Sequence, residues 1–151
     1  MILDQISKYL IRAYVDLNAA YSLWGIELTH IENSGMAGGR FEGYARLFGI
    51  AAVVFVIAVL YYRQKGELRG PLIEYSMGFL VGGAIGNGMD RLIFGQVTDF
   101  IIRTGGVLNI ADHAIEAGVA LLIIHVLVKW VRQWRVRTGS GSRSDRRRKC
   151  D

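Results

Sequence analysis

Asp99 and Asp112 stand at the edges of apolar stretches in a chain of 151 residues that is 52% hydrophobic. A carboxylate at membrane depth costs roughly 2.5–3.5 kcal/mol on insertion scales, so an acid in such a place is a candidate for function. The segments around them read Gly82-Gly83-Ala84-Ile85-Gly86-Asn87-Gly88-Met89-Asp90-Arg91, then Val97-Thr98-Asp99-Phe100, then Leu108-Asn109-Ile110-Ala111-Asp112. Two carboxyls brought together by so short a connection cannot both ionise readily, so one pKa rises and the pair shares a proton. The ionised member can take a proton from an attacking water while the protonated member donates to the developing oxyanion. That is the chemistry of an aspartyl hydrolase. Spacing alone does not say which aspartate plays which part. Taken singly, each acid has a plainer reading: Asp112 as a first-turn complement to a helix dipole, Asp99 as a loop residue in water.

The elements that must position these acids are predicted to be four helices, at about 1–14, 44–62, 71–93 and 109–131. The clearest is the second, where Leu47 to Tyr62 holds sixteen residues without a charge between Arg46 and Arg63. At about 1.5 Å per residue that run is roughly 24 Å long, short of a hydrocarbon core of about 30 Å, and flanking arginines can snorkel across the difference. The first helix is apolar on one face, carries Asp4, Lys8 and Arg12, and is too short to span. The third opens on the lone Pro71, suited to a first helical turn, and is dense in glycine, which lets helices approach closely in lipid. A phosphate-binding glycine loop is the weaker reading, since no Lys-Ser/Thr follows. Asn87, Asp90 and Arg91 fall at i, i+3 and i+4 on one face of it, and Asp90 with Arg91 reads as a charge-compensated pair that docks the helix. Between the first two helices, residues 15–43 read as a small β-region, because Ile26 to Ile31 alternates apolar and polar. Phe94 to Leu108 reads as a loop or short strands.

The formal charge of +5 lies largely in the tail from Lys129 onward and in the Arg63, Lys65, Arg69 cluster. Basic loops beside apolar spans mark the cytoplasmic side, so this charge argues for a membrane topology and against nucleic acid as a partner. The loop between the second and third helices and the C-terminal tail are then cytoplasmic, and Asp99, Asp112 and the β-region gather on the outer side. Residues 134–151 form a basic tail of linker composition, read as disordered, leaving 1–133 as a single membrane domain. Cys150 has no internal partner and is not placed in a prenylation box. His30, His113 and His125 are scattered, and no metal site or cofactor is expected.

The blocks at 82–91, 97–100 and 109–112 resemble those of the bacterial lipoprotein signal peptidases (signal peptidase II), whose pattern is GGAxGNxxDR, VxDF and N(I/L)AD. The nine-residue step from Asp90 to Asp99 matches as well. Upstream, Asp4-Gln5-Ile6-Ser7-Lys8 resembles the family's DQxxK and Asn33-Ser34-Gly35-Met36-Ala37 its NxGxA. The resemblance runs from Asp4 to about Val119. It implies a mainly α, four-transmembrane-helix bundle with a small extracytoplasmic β-cradle in the bacterial plasma membrane. It also implies a monomeric aspartyl endopeptidase, in contact with membrane lipids, that removes signal peptides from diacylglyceryl-modified prolipoproteins before the lipidated cysteine. Carried over by position, Asp99 and Asp112 would be the catalytic dyad, with Asn33, Asn87, Asp90, Arg91, Asn109, Asp4 and Lys8 in support.

Three departures stand out. Only Met1-Ile2-Leu3 precede Asp4, so the first helix is expected to be truncated, through a late start or a shortened chain. Gly38 stands where the family has an aromatic residue. The step from Asp99 to Asp112 is short, with Leu108 in place of phenylalanine, so Arg103-Thr104-Gly105-Gly106 must turn tightly. The shortened helix keeps a second reading in play, a non-catalytic paralogue that binds lipidated peptides. A proton-coupled carrier is a third, opposed by the lack of paired half-helix repeats.

Overall fold

A computed structural model describes residues 1–36 and 40–147, with side chains as far as Arg135. Residues 37–39, which include Gly38, and 148–151, which include Cys150, lie outside the described residues. The elements run α1 (Ile2–Tyr14), β1 (Ala20–Leu23), β2 (Ile26–Asn33), α2 (Ala45–Gln64), α3 (Pro71–Ile93), β3 (Val97–Arg103), β4 (Gly106–Leu108) and α4 (Ile110–Arg147).

The strands form one antiparallel sheet in the order β1-β2-β3-β4. β1 and β2 are joined by Trp24 and Gly25, with φ of 50° and 82°, and positive φ at both positions of a two-residue loop is the hairpin turn whose twist suits paired strands. β3 and β4 are joined by Thr104 and Gly105, since Arg103 pairs with Gly106; this is the tight turn that the short Asp99–Asp112 connection demands. The sheet is wider than the β-region expected at 15–43, because β3 and β4 come from the segment between α3 and α4. β1 is exposed along its whole length, so it carries no inward-outward alternation by which a strand could be read. In β2 the alternation breaks at a register shift between Leu28 and Ile31, which leaves the consecutive residues Thr29 and His30 both buried.

α4 corrects the expected boundary near 131–133. It continues as helix to Arg147, through the basic segment read as a disordered tail. No proline occurs after Pro71, so every backbone N–H of this stretch can stay in the helical ladder. Gly139 and Gly141 lower propensity by about 1 kcal/mol each without removing a donor.

Burial is inverted relative to a protein folded in water. In α1 the buried residues are Asp4, Lys8 and Ile11, while Ile2, Leu3 and Tyr9 are 70%, 74% and 68% exposed. The apolar faces of α2 and α4 are also outward: the windows within Ala45–Gln64 and Ile110–Arg135 have mean hydropathies of 2.2 and 2.0, yet only 17% and 6% of them is buried. Among the described residues these two helices are long and apolar enough to cross a bilayer. Apolar side chains arranged outward around a polar interior are stable only in a solvent that is itself apolar. The molecule is built for lipid.

With little hydrophobic drive between helices in lipid, close contact falls to small residues, and only some of the α3 glycines serve it. A Cβ at Gly83 would lie 2.5 Å from the Ala111 carbonyl oxygen, and one at Gly86 would lie 2.7 Å from Asp4 Oδ2, whereas Gly78 and Gly82 face open space. Gly83→Ala should therefore lower the thermal midpoint in detergent, by an overpacking cost of about 1–3 kcal/mol against a backbone atom that cannot swing away. Gly82→Ala should hold or raise it, since alanine gains up to about 1 kcal/mol of helix propensity. Equal midpoints for the two variants would contradict this packing.

Candidate active site

Asp99 lies on β3 opposite Ile31 of β2, and Asp112 lies in the first turn of α4. Asn109, the residue before that helix, joins them. Its Nδ2 donates to Asp99 Oδ1 at 2.7 Å, its backbone N–H donates to Asp112 Oδ2 at 3.0 Å, and its Oδ1 accepts the Asp112 backbone N–H at 3.0 Å. The last two bonds form a reciprocal capping box, the arrangement that satisfies otherwise orphaned N–H groups at a helix start. Asp112 is thus both a helix cap and a member of the candidate pair.

Two more asparagines complete the frame. Asn33, at the end of β2, donates from Nδ2 to Asp99 Oδ2 at 3.0 Å and accepts the Gly35 N–H at 2.9 Å, which fixes its orientation. Asn87 of α3 donates to Asp112 Oδ1 at 2.7 Å. All four carboxyl oxygens therefore accept an N–H bond, and every side chain that donates one is an amide, which adds no charge. Burial pushes the Asp99 carboxyl up to about 6; the hydrogen bonds from Asn33 and Asn109 and the charge of Lys8 oppose the rise, and the neighbouring Asp112 adds to it. A carboxyl in that range shares its proton near neutrality, as the acid–base chemistry of a pair requires.

Beneath the frame lies a buried ionic cluster. Lys8 Nζ is 3.0 Å from Asp4 Oδ2 and 2.7 Å from Asp90 Oδ2, and it donates to Asn87 Oδ1 at 2.8 Å. Asp4, Lys8 and Asp90 are fully buried. Asp4 Oδ1 accepts the Ala111 backbone N–H at 2.9 Å, so the cluster reaches the α4 cap from below. Arg12 adds a second cation, 3.3 Å from Asp90 Oδ1, making two carboxylates against two bases. Such a group is stable only when every charge has its partner.

The structure gathers the expected residues into one site with one revision. Asp90 and Arg91 do not compensate each other: Asp90 pairs with Lys8 and Arg12 of α1, while Arg91 turns away and donates to the Gly35 carbonyl at 3.3 Å. Neighbours on a helix point about 100° apart, and α1 lies on only one of those two sides. Sequence reasoning missed the second tier, in which Arg12 Nε donates to Thr98 Oγ1 at 2.7 Å and Thr98 Oγ1 donates to Glu32 at 2.9 Å. The i, i+4, i+8 spacing of Asp4, Lys8 and Arg12 was the signal for it. A cavity of about 360 Å³ opens beside Asp99, lined also by Asn33, Ser34, Glu32, Glu42 and Val107. It opens Asp99 to the outside along the sheet.

Lys8→Met, similar in volume, should destabilise the protein by about 3–5 kcal/mol, because it leaves buried Asp4 without a cation and Asp90 with Arg12 alone; chemical or thermal unfolding in detergent measures it. Asp99 supplies a separate pH signature. Its folded pKa of about 6 lies above the ordinary 3.8, so its contribution to stability is full below the ordinary value and is lost as pH rises through 6. The thermal midpoint of the wild type should fall as pH rises from about 4 to about 6, relative to that of Asp99→Asn, and then level off. Parallel profiles would show that Asp99 titrates as an ordinary acid.

A sequence profile of the signal peptidase (SPase) II family matches residues 1–128. A relative from Moorella thermoacetica named lipoprotein signal peptidase is 38% identical over 130 residues, covering 83% of this chain and 86% of that protein. One of the same name from Syntrophomonas wolfei is 38% identical over 138 residues, covering 89% and 92%. Two solved structures titled as a bacterial membrane enzyme superpose with TM-scores of 0.78 and 0.75 at 30% identity, each over 83% of this chain. They are covered over 81% and 86% of their own lengths.

Proposed function

The chain belongs to the signal peptidase II family, and on that premise we propose that it is a membrane aspartyl endopeptidase. It removes the signal peptide from diacylglyceryl-modified prolipoproteins, cutting before the lipidated cysteine. Asp99 and Asp112 are the catalytic dyad. The ionised member takes a proton from water as the oxygen attacks the scissile carbonyl. The protonated member donates to the oxyanion and then to the leaving amine. The observation that carries this reading is Asn109, whose side-chain amide and backbone N–H hold one oxygen of each carboxyl. A protein that only bound lipidated peptides would have no use for an acid pair so framed.

α1 and α3 join α2 and α4 as a four-helix membrane bundle in the bacterial plasma membrane, with both termini cytoplasmic and the sheet on the outer face. The apolar outward faces of the helices hold membrane lipids and the acyl chains of the substrate, while its peptide crosses the cavity beside Asp99. Asn33, Asn87 and Asn109 orient the dyad. Asp4, Lys8 and Asp90 support that frame, and Arg91 fixes the loop after Asn33. The protein acts as a monomer, since one chain supplies every member of the site.

The test is cleavage of a purified lipid-modified prolipoprotein, followed by its size shift. Asp99→Asn and Asp112→Asn should each lower kcat by at least about 10²–10⁴-fold, the usual worth of positioned acid–base catalysis. Cleavage that survives both substitutions would remove the dyad from the mechanism. Failure of the wild-type chain to cut would favour the binding-only reading.

A further inference from the structure

A second cavity, of about 410 Å³, lies at the end of the molecule remote from the aspartates. Pro71, on its wall, is separated from Asp90 by most of α3, or roughly 28 Å along the helix. Its walls are the start of α3, with Arg69, Gly70 and Leu72, and one face of α4, with His125, Lys129 and Arg132. The three α4 residues fall at i, i+4 and i+7, so they share that face. Val128 and Leu72 supply an apolar side.

The cations in this cavity are unspent. Among the described residues no carboxylate lies within ion-pairing distance of Arg69, Lys129 or Arg132. Glu74 is the acid nearest in sequence to the helix start; it accepts the Gly70 N–H at 3.2 Å and lines a neighbouring cavity with Arg63. Arg69 is directed by the backbone: Gly66, at φ +77°, leaves room for the guanidinium, whose Nη2 would lie 2.6 Å from a Cβ there. The start of α3 adds the partial positive charge of a helix N-terminus on the same side. Three bases without counter-charges are held around a concave space where two apolar helices reach the membrane surface.

We propose that this cavity binds the phosphate-bearing headgroup of an anionic phospholipid, with Arg69, Lys129 and Arg132 on the phosphate and the acyl chains lying along the apolar flank of α4. A phosphate ester supplies the negative charge that the three bases lack, and guanidinium groups match its oxygens in a forked geometry. Leu72 and Val128 favour a phosphate attached to hydrocarbon over a free ion. The site is separate from the aspartate chemistry and would seat the basic end of the bundle at a fixed depth.

Binding is measured on the whole chain purified in uncharged detergent, titrated with short-chain phosphatidylglycerol, with phosphatidylcholine of the same chain length, and with inorganic phosphate. Phosphatidylglycerol should bind best, and Arg69→Gln, Lys129→Gln and Arg132→Gln should each weaken it about fivefold, the worth of one basic residue near an anionic lipid surface. Lys129→Arg should preserve binding, and Arg46→Gln, at the other end of α2, should leave it unchanged. An equal effect of Arg46→Gln would show diffuse charge attraction in place of a site. Binding of phosphatidylcholine as tight as that of phosphatidylglycerol would overturn the headgroup assignment, and inorganic phosphate binding as tightly as the lipid would overturn the lipid assignment. None of these readouts uses cleavage, so the proposal stands or falls apart from the peptidase reading.

Discussion

The fold turns on Lys8. Its ammonium group is fully buried, held by Asp4 and Asp90 and donating to Asn87, so one side chain ties α1 to α3 and, through Asn87, to the carboxyl of Asp112. In water such a cluster would contribute little net stability, because the desolvation of its ions offsets their attraction. In lipid the comparison changes. Helices with apolar faces gain little by meeting one another, and a buried charge has no solvent to return to. The cluster therefore determines which helices meet and in what register, a task that apolar packing performs in soluble proteins.

From that anchor the geometry of the aspartates follows in steps. α1 holds the start of α4 through the bond from the Ala111 N–H to Asp4, and Gly86 provides the room for Asp4 to reach it. Asn109 then caps α4 and passes the alignment on to Asp99. β2 closes the frame from the other side with Asn33. Amides suit this duty because they cannot ionise. The frame keeps its bonds while the acids exchange a proton, and its own side chains add no charge to the pair.

Much of this was legible in the chain. The block from Gly82 to Arg91, with Asp99 nine residues beyond Asp90, points to the site, because those residue types have few uses together in an apolar setting. Lysine and arginine counts gathered the acids with the β-region, and Asp99 does lie on the sheet beside Asn33. What could not be read was pairing. Asp90 and Arg91 are neighbours and opposite in charge, yet the partner of each lies on a different element, and only the packing of α1 decides between them. β1 escaped for another reason: a strand exposed on both faces has no periodicity to leave in the sequence. The extent of α4 was misjudged because linker composition lowers helix propensity without removing the hydrogen bonds that carry a helix onward.

The inverted burial of α1 bears on how such a protein is made. α2 and α4 can enter the bilayer as they are synthesised, each on its own hydropathy. α1 cannot. In the proposed bundle it carries Asp4, Lys8 and Arg12 into lipid, each opposed by about 2.5–3.5 kcal/mol until it has a partner, and the partner that Lys8 and Arg12 share is Asp90, some eighty residues downstream. α1 leaves the ribosome before α3 and is thus seated only once α3 arrives. Biogenesis is then obligatorily cooperative, and an incomplete chain exposes its own unpaired charges as the mark of its incompleteness.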